Sequence, residues 1–327
     1  MIITKTPYRV SLFGGGTDHP RWFKDHGGQV LSFSINKFCY LTTRILPPFF
    51  NHNYRIAYSI VETEKDFNSI KHPVVREVIR KYSPNLKLEI HHDGDLPARS
   101  GIGSSAAFAV GMIHSILSLN EISISNIELA NAAIDMESNI LKENVGWQDQ
   151  IACSYGGFNQ IFFNPDLTWT IKPCHIDSRT REEMHQRMVL VFSGIERRSS
   201  DVTAGLLDNM EGKAAYLNRL AFLADEARKV FENGEDLDKI GEMLDESWEL
   251  KKASNPLAGN AKLDDLYSRA KSAGAIGGKV LGAGGGGFVL FWLRNNDREK
   301  FLHDFTAGTP VPIEISDEGS QVIHKSV

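Results

Sequence analysis

Short runs of β-branched and aromatic residues, separated by turn residues, fill the first part of the chain: Val30 to Ile35, Cys39 to Ile45, Tyr54 to Tyr58 and Leu86 to Ile90 predict strands. Helical patterns fall among and after them, at Val74 to Tyr82, Ser104 to Leu119 and Ser125 to Leu141. The last is the best marked, because Ser125 and Glu128 form an S-x-x-E capping box at its start. Phe158 to Phe163, Trp169 to Pro173 and Met188 to Phe192 return to strand character. The second half is richer in helix: Asp201 to Met210, Ala214 to Asn233 closed by Gly234, Leu237 to Ala253 opened by Asp236, and Lys262 to Ala273 closed by Gly274. Strands at Lys279 to Leu281 and Gly287 to Leu293, a helix near Arg298 to Phe305 and a final strand pair complete the chain. This order predicts an α+β architecture in both halves, with one domain over 1–185 and a second over 186–327.

Composition adds exclusions. Of 327 residues, 42% are hydrophobic and 24% charged, a balance that fits a globular chain and argues against a disordered or fibrous one. The most apolar stretch, Ala106 to Leu119, is interrupted by His114, Ser115 and Ser118 and is shorter than the roughly 18–20 residues a membrane-spanning helix needs. Met1 to Pro7 show no basic region followed by an apolar core, so a cytoplasmic protein with no membrane partner is expected. The net charge of -5, with no block of five like charges, leaves no nucleic-acid footprint and favours a small-molecule partner. Cys39, Cys153 and Cys174 form no CxxC pair and read as small core residues. The oligomeric state is left open, a homo-oligomer included.

Glycine is concentrated in three places: Gly14-Gly15-Gly16-Thr17-Asp18, Gly101-Ile102-Gly103-Ser104-Ser105-Ala106, and Gly282 to Gly287. Such runs either turn the chain or let backbone N–H groups converge on a phosphate. The middle run precedes an apolar helix, whose free N–H groups and positive dipole end favour an anion. Ser104 and Ser105 either cap that helix or supply a hydroxyl to magnesium. There is no Walker A loop, and the first run has neither the G-x-G-x-x-G spacing nor, by this pattern, a helix after it, so a Rossmann site is not expected. Two carboxylates stand out. Glu137 lies with Ala130, Ile134 and Leu141 on the apolar stripe of the capped helix, where a charge needs either a salt bridge or a metal. Asp149 sits in a glycine-bearing loop, as a solvated side chain or a catalytic one.

Taken together, three ordered segments resemble the GHMP kinase superfamily. Pro7-Tyr8-Arg9-Val10-Ser11-Leu12-Phe13-Gly14-Gly15-Gly16-Thr17-Asp18 is similar to P-x-R-x-x-L-x-G-x-x-T-D, and Leu96-Pro97-Ala98-Arg99-Ser100-Gly101-Ile102-Gly103-Ser104-Ser105-Ala106 to P-x-x-x-G-L-G-S-S-A, with Ile102 for the usual leucine. Lys279 to Gly287 resembles the C-terminal glycine motif. Within the superfamily, Gly14-Gly15-Gly16-Thr17-Asp18 resembles the sugar 1-kinases acting on fucose and on D-glycero-D-manno-heptose 7-phosphate, the latter more through Tyr58-Ser59, Ile70 to Pro73, Arg197, Trp248 and Lys251-Lys252. The resemblance implies an N-terminal domain like ribosomal protein S5 domain 2, a ferredoxin-like C-terminal domain, and ATP with Mg2+ as cofactors. It further implies that Gly101 to Ala106, with Gly284 and Gly285, hold the phosphates of ATP, and that Ser105 and Glu137 hold magnesium. Asp149 would act as general base beside Arg9. Gly16, Thr17, Asp18 and Asp149 would meet the sugar, and Arg197, Lys251 and Lys252 its phosphate. The expected reaction is C1 phosphorylation of a sugar phosphate for nucleotide-activated heptose and surface polysaccharide; another sugar 1-kinase such as a fucokinase, or a silent sugar and ATP sensor on the same fold, are the alternatives.

Overall fold

A computed structural model describes residues 1–195, 211–294 and 297–326. The helix expected over Asp201 to Met210 and the candidate Arg197 lie outside the described residues. In chain order the first half runs β1 (Ile2–Phe13), α1 (Pro20–His26), β2 (Gly28–Ile45), β3 (Tyr54–Ala57), β4 (Val61–Glu64), α2 (Pro73–Tyr82), β5 (Leu88–Gly94), α3 (Ser104–Leu119) and α4 (Asn126–Ile134). It continues through α5 (Gln148–Tyr155), β6 (Phe158–Phe163), β7 (Trp169–Pro173), α6 (Ser178–Arg187) and β8 (Met188–Phe192). Then follow α7 (Ala214–Asn233), α8 (Asp238–Ser254), α9 (Ala261–Ser272), β9 (Ala275–Val280), β10 (Phe288–Leu293), α10 (Arg298–Asp304), β11 (Thr309–Val311) and β12 (Gln321–Lys325).

Two sheets organise these elements. The first has the order β12-β1-β2-β5-β3-β4, with β6 also on β2 and β7 on β6; β3 and β5 pair in parallel. The second, β11-β8-β10-β9, is antiparallel. The two strands expected at Val30 to Ile35 and Cys39 to Ile45 are one, β2, whose first half pairs with β6 and second half with β5. Polar Asn36 and Lys37 lie between the two pairings and look like a turn in sequence. The final strand pair is likewise corrected: β11 joins the second sheet, whereas β12 returns to pair with β1 in the first. Residue 185, the expected domain division, falls within α6 between the two sheets.

The all-round apolar α3 is buried across β1 and β2. Gly111 makes that packing close, since a Cβ there would come 2.9 Å from the Thr6 Oγ1, and Thr4 Oγ1 donates to the Gly111 carbonyl at 3.2 Å. The core continues into the second half, where Phe231 of α7 meets Phe158 edge-on at 5.1 Å. Cys39, Cys153 and Cys174 are free and buried. Two local readings change. Pro20 starts a seven-residue helix, α1, directly after the first glycine run, so a helix does follow it. The capped helix stops being α at Ile134 and continues as a π turn over Asp135–Ile140. Its capping box is present as expected. Among the described residues, no helix is long and apolar enough to cross a membrane.

Candidate active site

The glycine runs place backbone where side chains would not fit. Gly101 (φ +86°) and Gly282 (φ +62°) face each other so closely that a Cβ on Gly101 would meet the Leu281 carbonyl oxygen at 2.6 Å, and one on Gly282 would meet the Gly101 Cα at 2.7 Å. Phe288 N–H donates to the Ser100 carbonyl at 2.9 Å, and Gly285 N–H to that of Ala258 at 2.7 Å. The third run therefore buttresses the second from beneath. Gly103, at φ +75°, caps α3, which begins at Ser104. Ser104 Oγ accepts from Arg99 N–H at 3.1 Å and closes the loop on itself, while Ser105 points elsewhere. Gly101→Ala is expected to lower the melting temperature by about 2–5 °C, because a left-handed alanine costs roughly 1–2 kcal/mol before the clash is counted. ATP should bind more weakly as well. Calorimetry and ATP titration check both effects; unchanged ATP affinity would separate the loop from nucleotide.

Arg9 and Asp149, 140 positions apart, meet at the mouth of this loop. Arg9 is buried, and its Nε and Nη2 donate to Asp149 Oδ1 and Oδ2 at 2.7 and 2.6 Å, a two-point guanidinium–carboxylate pair. Its Nη1 donates to the Gly101 carbonyl at 2.7 Å, tying the pair to the glycine loop. Asp149 is not in a loop, as the sequence suggested; it stands in the first turn of α5. The helix starts at Gln148, right after the irregular Gly146-Trp147, and those two residues hide it. Burial pushes the Asp149 carboxyl up from the usual carboxylate range, Arg9 opposes this, and Asp18 adds to it. The two-point pair with Arg9 fixes the direction in which the carboxylate points.

Asp18 is placed next to α5 by backbone. Its Oδ1 accepts from Gly16 N–H at 2.8 Å, its Oδ2 from Gln148 N–H at 3.3 Å, and its carbonyl from Trp147 N–H at 3.1 Å. Gly146 leaves room for that carboxylate, since a Cβ would fall 1.9 Å from Asp18 Oδ2 and displace it. Thr17 is enclosed, its hydroxyl shared among the carbonyls of Gly14 and Gln29 and the N–H of Gln29 at 2.8–3.0 Å. It shapes the loop that presents Asp18.

On the other side of the glycine loop, Ser105 Oγ donates to Glu137 Oε1 at 2.9 Å and Gln150 Nε2 donates to Oε2. Glu137 is only 1% exposed, and burial lifts its carboxyl to about 7. The salt bridge that the apolar stripe allowed is absent: among the described residues, no Lys, Arg or His pairs with it. A buried carboxylate held only by a hydroxyl and an amide lacks counter-charge, and a hydroxyl with a carboxylate oxygen is the donor set a hard divalent cation takes. Ser105 and Glu137 thus fit magnesium. The π turn that carries Glu137 inserts an extra residue per turn and so rotates the side chain toward Ser105 and Gln150.

The basic candidates separate. Lys251 Nζ donates to the Gly282 carbonyl at 2.6 Å and joins the cluster. Lys252, one residue on, turns away to Glu249 at 2.8 Å and Asp264 at 3.8 Å and lies over Trp248. Sequence reasoning missed Gln150, whose signal was its place beside Asp149. It also gave no role to Lys279, at the start of the strand expected over Lys279 to Leu281, whose Nζ donates to the Leu12 carbonyl at 2.8 Å.

Residues 68–157 match the GHMP kinases N terminal domain and residues 223–308 the GHMP kinases C terminal domain. The chain belongs to the GHMP kinases. It is an ATP-dependent kinase with the two-domain fold of that family. The D-glycero-alpha-D-manno-heptose 7-phosphate kinase of Campylobacter jejuni subsp. jejuni serotype O:2 is 28% identical over 306 residues, 89% of each chain. The bifunctional fucokinase/GDP-fucose pyrophosphorylase of Arabidopsis thaliana is 26% identical over 90% of this chain and 30% of its own greater length. Among solved structures, a D-glycero-D-manno-heptose 1-phosphate kinase from Bacteriodes thetaiotaomicron superposes with a TM-score of 0.82 at 23% identity over the whole of both chains, showing a shared GHMP kinase fold.

Proposed function

We propose that this kinase transfers the γ-phosphoryl group of ATP to the anomeric C1 hydroxyl of D-glycero-D-manno-heptose 7-phosphate, giving the 1,7-bisphosphate for nucleotide-activated heptose and surface polysaccharide. The observation that carries the chemistry is the Arg9–Asp149 pair, two bonds of 2.6 and 2.7 Å beside a glycine loop. The sugar assignment is supported by the likeness to the Campylobacter enzyme along nearly the whole chain. Three buried free thiols suit a reducing compartment, and we place the reaction in the cytoplasm.

In this reading the N–H groups of Gly101 to Ser105, at the start of α3, hold the β- and γ-phosphates. Ser105 Oγ and the Glu137 carboxylate would hold magnesium, which when bound would neutralise charge on the phosphate oxygens. Asp18, presented by Gly16 and the α5 N-terminus, positions sugar hydroxyls. Asp149 accepts the C1 hydroxyl proton as that oxygen attacks the γ-phosphorus, and ADP leaves with the electron pair of the broken P–O bond. Arg9 keeps Asp149 ionised and offsets charge on the group in flight. Gly284 and Gly285 act through backbone beneath the loop.

The test is a comparison of kcat/KM for heptose 7-phosphate, unphosphorylated heptose and fucose. Preference for the 7-phosphate by about 100-fold or more is expected, because a site built for a dianion leaves its donors unpaired without one. A fucokinase, favoured by the likeness to the Arabidopsis protein, would reverse the order; equal turnover of both heptoses would overturn the substrate assignment.

A further inference from the structure

Two lysines of the second half converge on the first from below the glycine segments. Lys279 of β9 is buried, and its Nζ donates to the Leu12 carbonyl of β1 at 2.8 Å, immediately before the first glycine run. Lys251 of α8 donates to the Gly282 carbonyl at 2.6 Å and lies 3.4 Å from that of Val280. Gly282 is the residue packed on Gly101, whose own carbonyl is held by Arg9. Lys251, Lys279 and Arg9 therefore gather where all three glycine segments meet.

Counter-charge is missing there. Among the described residues, neither lysine has a carboxylate within 4 Å, and the charged groups that act most strongly on them are cations: Arg9 on both, and Lys279 on Lys251. The Arg9 charge is already matched by Asp149. Burial lowers the Lys279 ammonium to about 7 and depresses Lys251 strongly, and the neighbouring cations depress both further. Carbonyl bonds alone would be served at lower cost by a neutral donor. Two lysine amino groups bonded only to carbonyls, where the glycine segments meet, suit a ligand whose two negative charges would favour their protonated forms.

We infer that Lys251 and Lys279 form one seat for a phosphoryl dianion, Lys279 being a site residue that acts with Lys251 from the second domain. The inference rests on the kinase reading above. The dianion has two sources, the phosphate already on the acceptor or the phosphoryl group arriving from ATP.

Lys251→Met and Lys279→Met keep the length of the apolar stem and remove the charge. Melting temperature without ligand is measured first, then kcat and KM with heptose 7-phosphate and with unphosphorylated heptose, wild type alongside. Turnover by the wild type checks the kinase reading independently. The expected result is a tenfold or greater loss of kcat/KM in variants that melt no lower than the wild type. A loss confined to the phosphorylated acceptor assigns the seat to the acceptor's phosphate; an equal loss with both acceptors assigns it to the transferred group. A loss below tenfold, or a lower melting temperature in both variants, overturns the proposal and leaves the lysines as clamps between the two halves.

Discussion

Asp149→Asn is expected to lower kcat by about a hundredfold to ten-thousandfold, the range that general-base catalysis supplies, while ATP and sugar still bind. The amide has the shape of the carboxylate and can still accept a bond from Arg9, but it cannot take a proton from C1–OH. Its NH2 group would also face the guanidinium, so one of the two Arg9 contacts, 2.7 Å to Oδ1 or 2.6 Å to Oδ2, is lost. Folding should survive, because Asp149 lies in the first turn of α5 with part of its side chain open to solvent. Steady-state kinetics with separate binding measurements checks this. A fall in kcat of less than about tenfold would remove Asp149 as base and leave positioning to carry the reaction.

Glu137→Gln has the second large effect. An amide is a poor ligand for a hard divalent cation, so the magnesium concentration at half-maximal turnover should rise at least tenfold, with weaker binding of nucleotide in the presence of magnesium. Nucleotide binding without the metal should change little. The variant should fold as well as the wild type, because the wild-type carboxylate is desolvated and faces only the Ser105 hydroxyl and the Gln150 amide, both of which a glutamine can meet. Magnesium titration of turnover and of nucleotide binding checks it. An unaltered magnesium requirement would make Glu137 a packing residue at the π turn.

The parts of the site that were legible in the sequence are those whose chemistry is local. Gly101, Gly103 and Gly282 all adopt positive φ, and runs of glycine before a helix or after a strand advertise such backbone. Glu137 was visible because a carboxylate on an apolar stripe is an anomaly wherever it occurs. Its partner was not legible in the stripe, which allowed a salt bridge; family likeness joined Ser105 to it, and the fold brings that hydroxyl, 32 positions away, within 2.9 Å. The π turn was invisible too, since a regular helical pattern persists across Ile134 while the backbone register changes.

Non-local pairing explains the other misses. β1 carries Pro7 and runs straight into the glycine segment, so its strand character is diluted in sequence, yet it is the strand between β12 and β2 that carries Arg9. β12 belongs to β1 across almost the entire chain, a pairing that no window of residues encodes. Lys251 and Lys252 are neighbours in sequence but roughly 100° apart on α8, which sends one to the Gly282 carbonyl and the other to Glu249. Arg9 and Asp149 belong to separate elements, and family likeness rather than spacing joined them before the fold did.

Phosphorus NMR of the product formed from ATP, magnesium and D-glycero-D-manno-heptose 7-phosphate tests C1 phosphorylation most directly. One new phosphate per ADP is expected, on the anomeric carbon and coupled to its proton, with the 7-phosphate retained. A new phosphate on any other hydroxyl, or ADP released with no sugar phosphate gained, would contradict it.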